Sequence, residues 1–154
     1  MSEASEIRIL LVDDHPLVRD GLRARLGGLP GLDIVGEAGS AQDALALIEG
    51  VQPDLVLTDV GMKDMNGIEL AGLLLARRPA LHVVMLSMYD NPEYVQRALQ
   101  AGARGYVLKD APAAEIVAAL HAVTAGGTSP MPASASWPSW RRSRSTRRRR
   151  RPRW

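Results

Sequence analysis

The chain has 154 residues, with 17 acidic side chains, 19 basic ones and no cysteine. This length suits one domain of ordinary size with some residues left over, and the lack of cysteine excludes disulfide scaffolds, iron–sulfur clusters and thiol nucleophiles. The charge is divided: residues 1–130 hold every acidic group and 10 basic ones, a net −7, whereas residues 131–154 hold nine arginines and a net +9. The main part of the chain is therefore mildly acidic, which does not favour a nucleic-acid platform.

The sequence indicates neither a membrane span nor a signal peptide. No run approaches the roughly 20 apolar residues of a spanning helix. The first apolar stretch contains Arg8 and runs directly into Asp13 and Asp14, unlike the apolar region of a secretory signal. We expect a cytoplasmic protein without a membrane partner.

Five short apolar runs alternate with helix-patterned segments between residue 7 and about residue 125. The runs are continuous rather than alternating, which is typical of parallel strands covered by helices on both faces. The predicted strands are Ile7–Val12, Leu32–Val35, Leu55–Leu57, Val83–Leu86 and Tyr106–Leu108.

The segments between these runs carry apolar residues at helical spacing and end near Gly or Pro. Ser40 and Asn91 are predicted to cap the second and fourth helices, the third starts near Asn66, and Pro112 begins the fifth. The predicted helix ends lie at Gly27–Gly28, Gly50, Pro79, Gly102 and Gly126–Gly127.

Five β/α repeats of this kind predict an α/β fold, with a doubly wound, five-stranded parallel sheet. We expect residues 1–6 to be an N-terminal extension and residues 7–127 to form the domain. Residues 128–154, rich in Ser, Pro and Arg, show no helical or strand period, which predicts a disordered tail. In such sheets the functional site lies beyond the carboxyl ends of the strands.

Polar side chains follow four of the predicted strands at that edge. Asp13 and Asp14 follow the first strand, Asp59 the third, Ser87 the fourth and Lys109 the fifth. Carboxylates brought together repel one another, so a cation must offset their charge, and their oxygens suit Mg²⁺. With an ammonium and a hydroxyl group beside them, the set matches the requirements of phosphoryl transfer to a carboxylate. The alternative for any single one is a solvated loop residue.

Four segments carry a resemblance to a known family: ILLVDDH, DLVLTDVGMKDMNGIEL, VVMLSMYDNPEYVQRALQAGARGYVLKDA and AVTAGG. They look like the receiver domain of bacterial response regulators, and most resemble the receivers of LuxR/NarL-type transcription factors, over residues 7 to about 127. The resemblance implies the flavodoxin-like receiver fold. It also implies a two-component switch that accepts a phosphoryl group from a histidine kinase with Mg²⁺, and that catalyses only its own phosphorylation and slow dephosphorylation.

The resemblance assigns roles to single residues. It implies that Asp59 is the phosphoacceptor. It implies a Mg²⁺ site formed by Asp13, Asp14, Asp59 and the backbone carbonyl of Gly61.

A switch is implied to read out the phosphorylation. Ser87 is expected to hydrogen-bond the phosphoryl group and Lys109 to pair with it, while the ring of Tyr106 turns inward as Ser87 moves. Such motion is a population shift between two arrangements, and it changes the surface formed by the fourth helix, the fifth strand and the fifth helix. Homodimerisation, contact with a separate target and withdrawal of phosphoryl groups from a kinase stay open as outputs.

Two positions depart from the common pattern of the family. Lys63 stands where many receivers have Pro, so we expect the loop after Asp59 to be looser and to carry an extra charge near the metal. Asp110 stands where many receivers have Pro after the lysine, and a cis peptide bond is cheap only before Pro. His15 follows the acidic pair, and we interpret it as a residue at the start of the first helix, because Mg²⁺ prefers oxygen ligands.

The tail has three interpretations. Its nine arginines are suited to binding nucleic acid without sequence preference, or to adhering to an acidic membrane surface. Regulators of the resembled type continue into a helix-turn-helix module, yet the 27 residues after Gly127 show none of the amphipathic helices that such a module needs. We hypothesise a frameshifted or truncated relative without its output module, from which specific DNA binding is not expected. Resequencing the locus tests this, and downstream DNA without a helix-turn-helix in any frame would refute it.

A phosphohydrolase of the haloacid-dehalogenase-like class is the main alternative, because it also uses Mg²⁺ and an aspartyl phosphate. That class places its nucleophile at the end of the first strand and a second Asp two residues later. Here Asp13 and Asp14 are adjacent and residue 15 is His, and the sequence has no cap insertion to hold a substrate. The pattern therefore favours the receiver.

Overall fold

The computed structural model describes residues 6–88 and 92–126 of the chain. Strands and helices alternate along it. The strands are β1 (Ile7–Val12), β2 (Leu32–Ala38), β3 (Leu55–Asp59), β4 (His82–Ser87) and β5 (Gly105–Leu108). The helices are α1 (Pro16–Leu26), α2 (Ala41–Val51), α3 (Gly67–Arg77), α4 (Pro92–Gln100) and α5 (Ala113–Thr124). None of the helices in these ranges is long and apolar enough to cross a membrane.

All five strands lie in one parallel sheet with the order β2-β1-β3-β4-β5. The chain winds outward from β1 to β2, returns past β1 to β3, and continues on the other side. The direction of winding therefore reverses between β1 and β3, and their carboxyl ends adjoin at the point where sheets of this type place their sites. The predicted flavodoxin-like α/β fold is confirmed.

Two aliphatic cores cover the two faces of the sheet. Successive residues of β1 alternate between them, as the pleat requires: Leu10 and Val12 lie in the core under α2, α3 and α4, while Ile9 and Leu11 lie in the core under α1 and α5. Each such fully buried side chain stabilises the fold by roughly 1.5–3 kcal/mol. Tyr106 is the one aromatic residue among the buried core residues of the described chain.

The predicted cap Ser40 is confirmed, and Asn66, near which the third helix was predicted to start, caps that helix. The Ser40 hydroxyl accepts a hydrogen bond from the N–H of Asp43 at 3.0 Å, and the Asn66 side-chain oxygen accepts one from the N–H of Glu69 at 2.8 Å. Each cap satisfies one of the unpaired N–H groups at the first helical turn. Pro112 precedes α5 as its cap residue rather than beginning it.

The predicted end of α2 at Gly50 is wrong. The helix continues to Val51, and Gln52 takes the left-handed conformation, with φ 50°, that usually belongs to glycine. Arg8 of β1 donates to the carbonyl oxygen of Val51 at 2.7 Å, which pairs one of the carbonyls left open at a helix end. The helix end is thus fixed by a contact from a distant strand.

The strands reach further than their apolar runs. β3 and β4 include Asp59 and Ser87 as their last residues, so two predicted site residues close a strand rather than follow one. The predicted cap Asn91, the predicted end at Gly127, residues 1–5 of the expected extension and the expected tail at 128–154 lie outside the described residues.

Candidate functional site

Three side chains distant in sequence meet at the carboxyl edge of the sheet. Asp13 follows β1, Asp59 ends β3, and Lys109 follows β5. The Lys109 Nζ lies 2.9 Å from Asp13 Oδ2 and 3.1 Å from Asp59 Oδ1. The adjacency of these strand ends produces the cluster, because parallel strands end at the same edge.

The cluster is buried and carries excess negative charge. Asp13 is fully buried, and the side chains of Asp59 and Lys109 are each 6% exposed. Asp14 follows Asp13 with a side chain 10% exposed, so three carboxylates share one ammonium. Buried charges are costly unless they are paired. The carboxylates outnumber the ammonium group, and a bound cation would offset the excess negative charge.

Three buried carboxylate oxygens of the site accept no hydrogen bond from the described residues: Asp13 Oδ2, Asp14 Oδ1 and Asp59 Oδ2. Asp13 Oδ2 is ion-paired with Lys109, which leaves Asp14 Oδ1 and Asp59 Oδ2 open. Asp13, Asp14, His15 and Asp59 each offer a ligand atom within 4.8 Å of the others. Open carboxylate oxygens at this spacing fit a hard, oxygen-seeking dication such as Mg²⁺.

The titration of Asp59 reflects this burial. Loss of solvent raises the pKa of the Asp59 carboxyl above its ordinary value; the ammonium of Lys109 acts in the opposite direction, and the charge of Asp13 adds to the rise. Lys109 therefore offsets only part of the desolvation cost. The remaining cost of the buried charge on Asp59 would be lowered by a bound metal ion or by conversion of the carboxylate to a neutral form.

The loop between β3 and α3 is held at two points. The N–H of Lys63 donates to Asp14 Oδ2 at 3.0 Å. The Asp64 carboxylate accepts hydrogen bonds from the N–H groups of Ala41 and Gln42, at 3.2 and 3.0 Å, at the start of α2. At Lys63 the loop uses an N–H donor that Pro would lack, so the replacement of Pro adds a contact to the acidic site.

Glycine is required where α3 begins. A Cβ on Gly67 would overlap the carbonyl oxygen of Asp59, and the Gly67 N–H donates to the carbonyl of Val60 at 2.7 Å. Gly61 lies between them and donates its N–H to Asp59 Oδ1 at 3.2 Å. These contacts leave Oδ2 as the open oxygen of Asp59.

Ser87 and Tyr106 lie on the β4–β5 side of the site. Ser87 is 4% exposed, and its carbonyl accepts the N–H of Lys109 at 2.8 Å. Tyr106 pairs with Met85 across the two strands, and it is 1% exposed. The ring expected to turn inward is thus buried in this structure.

Sequence reasoning missed the role of Arg19. It donates through Nη1 to the backbone carbonyl of Asp13 and lies 3.4 Å from a carboxylate oxygen of Glu37. Arg19 therefore ties the acidic pair to α1 and to β2. Its place in the first helix, four residues after His15, is the only signal in the sequence, since residues at that spacing share one helix face.

The comparisons with known proteins agree with this geometry. The family model for the response regulator receiver domain matches residues 9–121, and the chain belongs to this family. It is the receiver domain of a two-component response regulator, a family of regulatory switches that bind Mg²⁺ at an acidic pocket and interact with histidine kinases.

The relatives are regulators of the NarL/LuxR type. The chain is 43% identical over 128 residues to the transcriptional regulatory protein MctR of Rhizobium johnstonii, covering 83% of this chain and 60% of MctR. It is 45% identical over 120 residues to the DNA-binding transcriptional activator DevR/DosR of Mycobacterium tuberculosis, covering 78% and 55%. The chain thus spans between half and two thirds of these relatives.

A similar fold is found in solved structures. The signal receiver domain of the NarL response regulator from Mycobacterium tuberculosis superposes with a TM-score of 0.74 at 36% identity, covering 79% of this chain and 98% of that domain. A LuxR-family response regulator from Aurantimonas has a TM-score of 0.78 at 33% identity, covering 94% and 99%.

Proposed function

We propose that this protein accepts a phosphoryl group on Asp59 from the phosphohistidine of a sensor kinase, with Mg²⁺. Asp59 Oδ2, buried and without a hydrogen-bond partner among the described residues, carries this proposal. This oxygen attacks the phosphorus, the new P–O bond forms as the P–N bond breaks, and the kinase imidazole leaves. The exchange belongs in the cytoplasm, where kinases obtain their phosphoryl groups from ATP.

The chain's own residues would hold and orient the reacting groups. Asp13, Asp14, Asp59 and the carbonyl of Gly61 are the proposed Mg²⁺ ligands, and the ion supplies positive charge to the phosphoryl oxygens. Lys109 supports the same role, because its ammonium lies 3.1 Å from Asp59 Oδ1.

Ser87 and Tyr106 are the proposed switch. Ser87 ends the strand next to β3, where its hydroxyl would hydrogen-bond a phosphoryl group on Asp59. Tyr106 is two strands from Asp59 and is buried, which supports an inward arrangement of its ring when a phosphoryl group is present. Phosphorylation would favour this arrangement and so change the surface of α4, β5 and α5, through which we place the output, by dimerisation or by contact with a separate target.

Phosphorylation and mass spectrometry test the assignment. Incubation with a small phosphodonor and Mg²⁺ should add one phosphoryl group that maps to Asp59, and Asp59→Asn should add none. Labelling of Asp59→Asn at the wild-type rate would show that another residue is the acceptor. Turnover of simple phosphomonoesters by the wild type would instead support the phosphohydrolase.

We also propose that residues 7–127 carry all of this chemistry. Every proposed site residue and both cores lie between residues 7 and 123. Deleting residues 131–154 should leave the phosphorylation rate and the thermal unfolding midpoint unchanged. A collapse of the unfolding transition would show that the tail supports the domain, and loss of nucleic-acid retention in the same variant would assign its arginines that role.

A further inference from the structure

His15 lies at the edge of the acidic site and is not used by the proposed reaction. We propose that the site also binds a first-row transition-metal dication such as Zn²⁺, and that His15 Nδ1 is one of its ligands. The inference rests on the proposed function only in that both ions would share Asp13 and Asp14.

The distances around His15 match those between ligands of one ion. His15 Nδ1 lies 3.1 Å from Asp14 Oδ1 and 3.3 Å from Asp13 Oδ1. Ligand atoms bound at about 2.1 Å from a metal stand about 3.0 Å apart in octahedral geometry and about 3.4 Å apart in tetrahedral geometry. The three atoms therefore need only small shifts to bind a common ion.

The buried oxygens provide a second, independent indication. The Asp14 side chain is nine-tenths buried and its Oδ1 accepts no hydrogen bond from the described residues, although the imidazole nitrogen is 3.1 Å away. Asp59 Oδ2 is open as well. A cation bound here would satisfy the open oxygen of Asp14 and would replace the 3.3 Å hydrogen bond between His15 Nδ1 and Asp13 Oδ1.

The imidazole ligand determines which metal ions gain affinity from His15. Mg²⁺ prefers oxygen ligands and gains little from a nitrogen, whereas Zn²⁺, Ni²⁺ and Co²⁺ bind imidazole well. The His15 side chain is 61% exposed, so an ion can reach it from solvent. Because Asp13 and Asp14 are common to both sites, binding of a transition metal would exclude Mg²⁺.

Calorimetric titration of the full chain with Zn²⁺, and separately with Mg²⁺, tests the inference. The sequence contains three histidines and no cysteine, and the exposed His121 of α5 offers a matched control. His15→Asn should weaken Zn²⁺ binding by about tenfold or more, the scale on which ligand-shell changes alter metal affinity. His121→Asn should leave Zn²⁺ binding unchanged, and both variants should bind Mg²⁺ like the wild type. Equal Zn²⁺ affinity of His15→Asn and the wild type would overturn the proposal.

A spectroscopic measurement on the wild type removes any dependence on the folding of the variant. Bound Co²⁺ should shift the imidazole proton resonances of one histidine strongly, and the shifted signal should persist in His121→Asn and vanish in His15→Asn. Absence of any shifted imidazole signal in the wild type would refute the ligand. The two hypotheses can fail separately. If phosphorylation maps to Asp59 but Zn²⁺ binding does not depend on His15, only this inference is refuted. If phosphorylation maps elsewhere but Zn²⁺ binding depends on His15, only the proposed function is refuted.

Discussion

The N–H of Lys63 donates to Asp14 Oδ2 over 3.0 Å, so the loop that follows Asp59 orients one of the acidic residues of the site. This bond engages Oδ2 and leaves Oδ1, the oxygen facing His15, without a hydrogen-bond partner in the described ranges. A residue that sequence reasoning singled out for its side-chain charge thus acts through its backbone.

Replacing Lys63 separates the backbone contribution from the charge. Lys63→Ala keeps the N–H and removes the ammonium, whereas Lys63→Pro removes both. Because a hydrogen bond to a charged acceptor contributes about 1.5–3 kcal/mol and proline recovers about 0.4–1 kcal/mol of chain entropy, we expect Lys63→Pro to be less stable than Lys63→Ala by about 1 kcal/mol. Urea unfolding in chelator measures this, and equal midpoints for the two variants would contradict it.

Asp59→Asn should stabilise the metal-free protein by about 1 kcal/mol at pH 7, because it removes a desolvated charge that Lys109 only partly offsets. Asp33→Asn, at an exposed position of β2, is the control and should change nothing.

The stability difference between Asp59→Asn and the wild type should also depend on pH. Burial raises the folded-state pKa of Asp59 above an unfolded value of about 3.9. The cost of ionising it is absent below the unfolded pKa, grows as the pH rises from the unfolded toward the folded pKa, and is complete above the folded pKa. The advantage of Asp59→Asn should therefore shrink as the pH falls toward about 4, and a constant advantage across that range would contradict the shift.

Lys109→Met should destabilise the metal-free protein by about 3 kcal/mol, because it leaves the buried carboxylates of Asp13 and Asp59 without their counter-charge. Saturating Mg²⁺ should narrow this gap, since the ion supplies the missing charge. Thermal melts with chelator and with Mg²⁺ measure both effects. The chain has one other lysine, Lys63, at an exposed position, and Lys63→Met should show neither the loss of stability nor its reduction by Mg²⁺. If Mg²⁺ leaves the stability loss of Lys109→Met unchanged, the lysine and the ion do not share a site.

Asp64→Asn should lower the urea midpoint at neutral pH. The hydrogen bond from the N–H of Gln42 is the main cause of the lowered pKa of Asp64, with a further bond from Ala41. A group with a lowered folded-state pKa stabilises fully above its unfolded pKa, and this stabilisation disappears as the pH falls through the folded pKa. The wild type and Asp64→Asn should therefore converge in acid, and midpoints that differ equally at pH 7 and in acid would show that the charge is not involved.

The sequence predicted the fold and the convergence of the site because both follow from periodic patterns. The run Ile7–Val12 was predicted with its observed bounds, since a buried strand must be apolar throughout. Asp13, Asp59 and Lys109 were expected to converge because parallel strands end at the same edge of the sheet. Contacts without a period were missed: Arg8 at the end of α2, Asp64 at its start and Lys63 at Asp14. Each joins segments that are distant in sequence, which no local pattern encodes.

Tyr106 stands alone as an aromatic ring in the described core, whereas the three tryptophans are residues 137, 140 and 154. The tryptophans and the core tyrosine, which give different optical signals, therefore lie in different parts of the sequence. The tryptophans lie outside the described residues, and the near-ultraviolet dichroism of a tryptophan-free variant would come from the three tyrosines, of which Tyr106 is the buried ring of the described core. Because the other buried core residues of the described chain are aliphatic, they add no near-ultraviolet signal to that of the Tyr106 ring.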